Sequence, residues 1–454
     1  MKKTTWLAAC MAAVCALALV TGCSSETDEP DGIEYDAGEW LIEGRTVLRY
    51  TGTGTDVHVP VGVTVIGKHA FESRTAVAHV TLPDSVAVIE DYAFYGCTNL
   101  ADVKLPESVA MIGWYAFSGC ESLTEVTIPA KVTAIGDYAF RGCESLETVT
   151  IHDGVKTIGQ NAFSNCTDLK SVTIPASVET IGYDAFYGCN SLDTVTYQGD
   201  LAQWCALDGG DLMSYAKRVT IGGEDLQSMT ELVIPDDVET IGSGAFRGCD
   251  KLTSVTIPAS VKTIGSNAFS GCNSLDTVTY QGDLAQWCAL DGGGNLMSSA
   301  KHVTIGDEEL QSMTELVIPN GVTSIGSGAF RGCGNLTSVT ISAGVKTIGD
   351  SAFYGCSGLT EVTIPEGVTE IGSQAFSSCS KLTTVAIPAS VESIGYNAFN
   401  SCSNLTDVTY GGTQAQWDKI EKSSQIFYFS NNTITGKDGV TFTVDRYGNI
   451  IESE

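Results

Sequence analysis

The chain has 454 residues, about three times the length of an ordinary domain, and its 43% hydrophobic share rules out a disordered or collagen-like polymer. Acidic residues outnumber basic ones 54 to 24, for a formal charge of −30, so no basic face is available to neutralise phosphates and nucleic acid is not an expected partner. The five histidines (His58, His69, His79, His152 and His302) are scattered, which leaves little material for acid–base or metal chemistry, and no cofactor is expected.

In chain order the first feature is a sorting signal. Lys2 and Lys3 precede an apolar run from Trp6 to Val20, too short to span a bilayer comfortably but suited to a signal-peptide core. The run ends Leu19-Val20-Thr21-Gly22-Cys23, which resembles the lipobox of bacterial lipoproteins. That resemblance implies cleavage after residue 22, a diacylglycerol on Cys23 and an extracytoplasmic, membrane-anchored product. The alternative is an ordinary secretory signal that contains Cys23. Residues 23–38 are polar and acidic and read as a flexible tether; the acidic residues after Cys23 loosely resemble the surface-export signal of Bacteroidota lipoproteins. Residues 39–53 alternate apolar and polar around Gly44, which predicts a hairpin capping the fold that follows.

From there one repeat organises almost everything. Phenylalanine recurs every 23 residues at 71, 94, 117, 140, 163 and 186, again at 246 and 269, and again from 330 to 399. The clearest unit runs Leu123-x-x-Val126-x-Ile128-Pro129, then Val132, Ile135-Gly136, Ala139-Phe140 and Cys143. Leu123, Val126 and Ile128 are spaced as the inward residues of a strand, with Thr124, Glu125 and Thr127 outward. Pro129 ends the strand because it cannot donate to a ladder, and Gly136 permits a turn. One unit cannot enclose its own apolar groups but a stack of units can, which predicts a solenoid. Mid-stack Phe163 should therefore matter more than Phe71, whose neighbour on one side is only a cap.

These residues resemble the 23-residue leucine-rich repeats of Treponema-type, BspA-like bacterial surface proteins. The resemblance implies a right-handed coil with a parallel β-sheet on its concave face, and a surface protein used for adhesion, not an enzyme. Repeats are expected over 54–191, 229–274 and 313–410, with a C-terminal hairpin cap within 411–454. Between them, 192–228 and 275–312 carry the same interrupting sequence, read as a strand, a short helix bearing Trp204 or Trp287, and a hairpin through Gly222-Gly223 or Gly306-Asp307.

Candidate chemistry is sparse. Eleven cysteines sit three residues after a repeat Phe; stacked at strand spacing with parallel Cβ vectors they suit buried thiols better than disulfides or metal. Threonines in mid-strand, Thr127 and Thr363 among them, with Glu125 and Glu361 two positions earlier and Glu231 and Glu315 at the matching place in other repeats, put a polar, negative surface on the sheet. These are the candidate ligand-binding residues for a protein or host-matrix partner. The rival is glycan binding by Tyr197, Trp204, Tyr280 and Trp287, residues that equally well pack an inserted helix. Asp208-Gly209-Gly210-Asp211 and Asp291-Gly292-Gly293-Gly294-Asn295 weakly suggest Ca²⁺ loops but lack EF-hand spacing. A monomer is expected.

Overall fold

The computed structural model describes residues 38–207, 209, 212–427 and 432–451. The signal segment, the tether up to residue 37 and Cys23 lie outside the described residues. The chain divides between Gln198 and Gly199 into two units. Each is a run of parallel-strand β-solenoid, about 17 turns between them, with little helix.

In the first unit, the turn beginning at Leu123 shows why the sequence folds this way. Strand Glu125–Ile128 alternates exposed and buried residues, so Val126 and Ile128 go inward while Glu125 and Thr127 face solvent. It pairs in parallel with Thr148–Ile151, Glu125 opposite Thr148 and Val126 opposite Val149, so a step of 23 residues sets like on like. Because side chains alternate with period two, this register keeps every apolar residue on the core side.

A second parallel ladder, which the sequence reading did not predict, forms where the chain has turned. Val65–Ile66, Val88–Ile89, Met111–Ile112, Ala134–Ile135, Thr157–Ile158 and Thr180–Ile181 stack as two-residue strands, each burying its Ile. The third side of the turn has no strand. There the Phe amide donates to the alanine carbonyl of the next turn, as in Phe117 to Ala139 and Phe140 to Ala162, both 2.7 Å. The phenylalanine rings stack inside, with centroids 4.7 Å apart for Phe71 and Phe94 and 5.3 Å for Phe140 and Phe163.

Gly136 serves a different purpose from the one expected. A Cβ there would lie 2.5 Å from the Gly113 carbonyl oxygen, so glycine is needed for the close approach of successive turns. The left-handed backbone falls instead two residues later, at Tyr138, with φ of 60°.

The caps do more than close an edge. Trp40–Glu43 and Thr46–Tyr50 form an antiparallel hairpin that extends the two-residue ladder beside Val65–Ile66. Its Tyr50 stacks on Phe71 at 5.3 Å and its Trp40 meets the same ring edge-on at 5.8 Å. Phe71 is thus fully buried, and the expectation that it matters less than Phe163 is corrected: aromatic residues of the cap replace the missing neighbour.

In the second unit the same ladders run through Ser324–Ile325, Thr347–Ile348, Glu370–Ile371 and Ser393–Ile394, ending at Glu421–Lys422. Asp407–Tyr410 pairs in parallel with Asn432–Thr435, which turns back on Thr441–Val444. Phe427, outside any repeat motif, stacks on Phe399 at 5.8 Å and finishes the aromatic row.

The second interruption keeps its strand in the sheet: Thr277–Tyr280 pairs in parallel with His302–Ile305, which turns back antiparallel on Glu308–Glu309. Between them lie two helices, Leu284–Ala289 and Gly293–Ser299, where one was expected. Asp283 caps the first, accepting from the Gln286 amide while the Gln286 side chain accepts from the Asp283 amide. The first interruption repeats the arrangement with Leu201–Ala206, Leu212–Tyr215 and Arg218–Ile221.

Candidate functional site

The proposed ligand-binding residues all stand on the longer strands and all point to solvent, Thr363 closing the strand that Glu361 opens. In the first unit Glu125 and Thr127 occupy one strand, with Thr148 and Thr150 of the next turn beside them. In the second unit Glu231 lies opposite Ser254, Glu315 opposite Ser338, and Glu361 opposite Thr384. Each carboxylate therefore has a hydroxyl on the neighbouring rung, which avoids the cost of like charges directly opposite each other. Among the described residues none of the four glutamates forms an ion pair. In each unit the arrangement is one of separated negative charges beside hydroxyls, and in the second unit the exposed apolar Val233 and Val317 stand on the strands of Glu231 and Glu315. It suits electrostatic docking and contains no carboxylate pair of the kind that cleaves glycosides.

The aromatic alternative is corrected. Tyr197, Trp204, Tyr280 and Trp287 are all buried, none more than 3% exposed. The Trp204 indole N–H donates to the Ala245 carbonyl and that of Trp287 to the Ala329 carbonyl, each at 2.9 Å. These tryptophans fasten the inserted helices to the following turn. Tyr197 takes the inward place that Ile174 holds one turn earlier, and Tyr280 that of Ile257. A sugar ring has no access to any of the four.

The repeat cysteines are free and buried. Nine of the eleven reach back across one turn to a phenylalanine carbonyl, among them Cys97 to Phe71 at 3.0 Å, Cys166 to Phe140 at 3.2 Å and Cys356 to Phe330 at 3.2 Å; Cys249 and Cys333 each follow an interruption, with no phenylalanine 26 residues earlier. Sequence reasoning treated them as small apolar residues and missed this bond, which adds a second donor to a carbonyl that already accepts from the amide three residues on, as Phe140 does from Cys143 at 3.3 Å. Burial pushes the thiols of Cys97 and Cys333 up to about 12 and that of Cys272 to about 11, far from the reactive range. The second Ca²⁺-loop suggestion is also corrected, because Gly293 to Asn295 open a helix. Asp208, Gly210 and Asp211 of the first lie outside the described residues. Among the described residues no group of three His, Cys, Asp or Glu side chains could hold a metal ion.

One feature of the first unit escaped the sequence reading. His69, Tyr92, Tyr115 and Tyr138, each two residues before a repeat Phe, stack along its side with centroids 4.6 to 5.0 Å apart. All four hold left-handed backbone, with φ between 55° and 60°. Asn161 and Asp184, residue types that tolerate this conformation better, take the same place in the next turns. The stacked rings offset the local strain by contact between turns. The signal was an aromatic residue two before Phe in consecutive repeats.

A sequence profile of the BspA type leucine rich repeat region matches residues 64–193, 224–287 and 308–433, in six copies. No curated protein sequence matches the chain. Among solved structures, a leucine-rich repeat protein from Bacteroides ovatus is 24% identical, with 91% of this chain and all of that one covered at a TM-score of 0.38. A leucine rich cell surface protein from Faecalibacterium prausnitzii is 25% identical, with 89% of this chain and all of that one covered at a TM-score of 0.31. Among the described residues no helix is long and apolar enough to cross a membrane. With the profile matching well over half its length, on the repeat whose ladders and phenylalanine row are described above, the chain belongs to the BspA-type leucine-rich-repeat family.

Proposed function

We propose that the protein is displayed outside the cytoplasm on a lipid carried by Cys23 and binds a protein or host-matrix ligand through the exposed face of its longer strands. The observation that carries this reading is the series Glu125, Glu231, Glu315 and Glu361, exposed and without ion pairs among threonines and serines. A face of this kind favours a ligand presenting basic groups, and the family is one of surface proteins, consistent with a role in protein interaction. The reading is one of binding and not of catalysis, since each carboxylate stands beside a neutral hydroxyl.

The test is the association rate of the full chain with a panel of basic matrix proteins as a function of salt. Charge attraction is screened beyond about 8 Å at physiological ionic strength, so the rate should rise as salt is lowered. Glu315→Lys with Glu361→Lys should slow association about tenfold at low salt. A rate indifferent to both salt and charge reversal would sink the proposal. For the anchor, Cys23→Ser should move the protein out of the membrane fraction; retention equal to the unmodified chain would remove the lipid from the account.

A further inference from the structure

In the second unit, the helix Gly293–Ser299 and the turns beside it line a cavity of about 480 Å³, within the range of small-ligand sites. Its polar lining includes Asn267, Ser270, Asn295, Ser298, Ser299 and Arg331, with Asn273 at its side, and no carboxylate borders it. In a chain of formal charge −30 that is an unusual local chemistry.

Its donors and acceptors can be assigned. The guanidinium of Arg331 lies over the Tyr354 ring, 4.4 Å from its centroid, so its plane is held while its N–H edge remains for a ligand. The Asn295 amide donates to the Ile264 carbonyl at 3.3 Å and the Gly265 carbonyl at 3.1 Å, which uses both of its N–H groups and leaves its oxygen as an acceptor. The hydroxyls of Ser298 and Ser299 donate to the Gly294 and Asn295 carbonyls, both at 2.7 Å, so their oxygens also remain as acceptors. The cavity thus presents one oriented cation beside several acceptors. A bare inorganic anion satisfies the first and has few protons for the second. A molecule bearing both a carboxylate and hydroxyl groups satisfies both.

The duplicated block supplies an independent argument. Where the second copy has Asn267, Ser270, Asn295 and Ser299, the first has Asp184, Tyr187, Asp211 and Tyr215, while the arginine is kept as Arg247. The sequence from Gly188 to Leu207 returns unchanged from Gly271 to Leu290. At these four positions two carboxylates have become amides and two phenols have become small hydroxyls, which removes negative charge and bulk around one unchanged cation.

We propose that this cavity binds an acidic sugar, with its carboxylate on Arg331 and its hydroxyls donating to Asn295, Ser298 and Ser299. The site is separate from the strand face, so it stands or falls independently of the function proposed above.

The experiment is calorimetric titration of the full chain with D-glucuronate, D-glucose and inorganic phosphate. D-glucuronate should bind in the millimolar range or tighter, with glucose and phosphate each at least about tenfold weaker. Arg331→Gln removes a charge-assisted bond and should weaken glucuronate about tenfold or more, whereas Arg247→Gln should leave it unchanged. Ser299→Tyr introduces the first copy's residue and should abolish binding; Asn295→Asp should weaken it while keeping the side chain's size. Melting curves like that of the parent chain show that the variants are folded. The proposal is overturned if glucuronate fails to bind at about 10 mM, if Ser299→Tyr binds it as well as the parent, or if phosphate binds as tightly as glucuronate.

Discussion

Phe163→Ala tests the stacking of turns most directly. Phe163 is fully buried, with Phe140 at 5.3 Å on one side and Phe186 at 5.5 Å on the other, both nearly parallel to it. Removing the ring forfeits about 1.5–3 kcal/mol of apolar burial and two stacked contacts of about 0.5–1.5 kcal/mol each. The backbone cannot close the gap, because the Phe163 amide is held by Ala185 at 2.8 Å and its carbonyl accepts from the Cys189 thiol at 3.1 Å. The expected loss is about 3–5 kcal/mol. A repeat array opens locally, so the assay is amide hydrogen exchange over residues 140–198, backed by urea unfolding. Protection should fall in the turns around residue 163 and much less near residue 71. Phe71→Ala should cost the same to within about 1 kcal/mol, since Tyr50 and Trp40 enclose that ring. A loss at Phe163 below about 1 kcal/mol, or one no greater than that of the largely exposed Tyr183→Ala, would refute the reasoning.

Two further outcomes are expected. The buried thiols have folded-state values raised to about 12 at Cys97 and Cys333 and about 11 at Cys272, against about 8.5 in an unfolded chain. Their contribution is complete below pH of about 8.5 and is lost as pH rises towards 11–12, so the urea midpoint should decline across that window, and a flat profile would contradict the burial. Trp287→Phe keeps most of the apolar contact but strands the Ala329 carbonyl, and should cost about 1–3 kcal/mol in melting experiments without altering association with basic proteins. A variant of unchanged stability but impaired binding would return the tryptophans to the surface.

Much of the fold can be read from residues alone. Phenylalanine at a step of 23 places like side chains at like positions, and Val126 and Ile128 alternating with Glu125 and Thr127 define a strand with one wet face. The exposure of Glu231, Glu315 and Glu361 follows from the same alternation. The burial of Tyr197 was equally legible, because it stands in the slot of Ile174. The direction of Trp204 was not, since a six-residue helix can turn its tryptophan to solvent or inward, and only the Ala245 carbonyl of a later turn settles which.

What the sequence determined by itself is therefore the repeat, its inward residues and the polarity of its strand face, all consequences of local periodicity. The tertiary structure decided the rest. Two residues such as Ala134–Ile135 have no period of their own and become a strand only through hydrogen bonds to the turns on either side. The interruption breaks the 23-residue step, and Thr277 pairs with His302, 25 residues on, because that is where the returning chain meets the sheet edge. Phe427 joins the aromatic row without any motif, and Asn295, Ser299 and Arg331 come to one cavity from an inserted helix and a later turn. Contacts of this kind depend on which segments the stack brings side by side, a property of chain path and packing that no window of neighbouring residues contains.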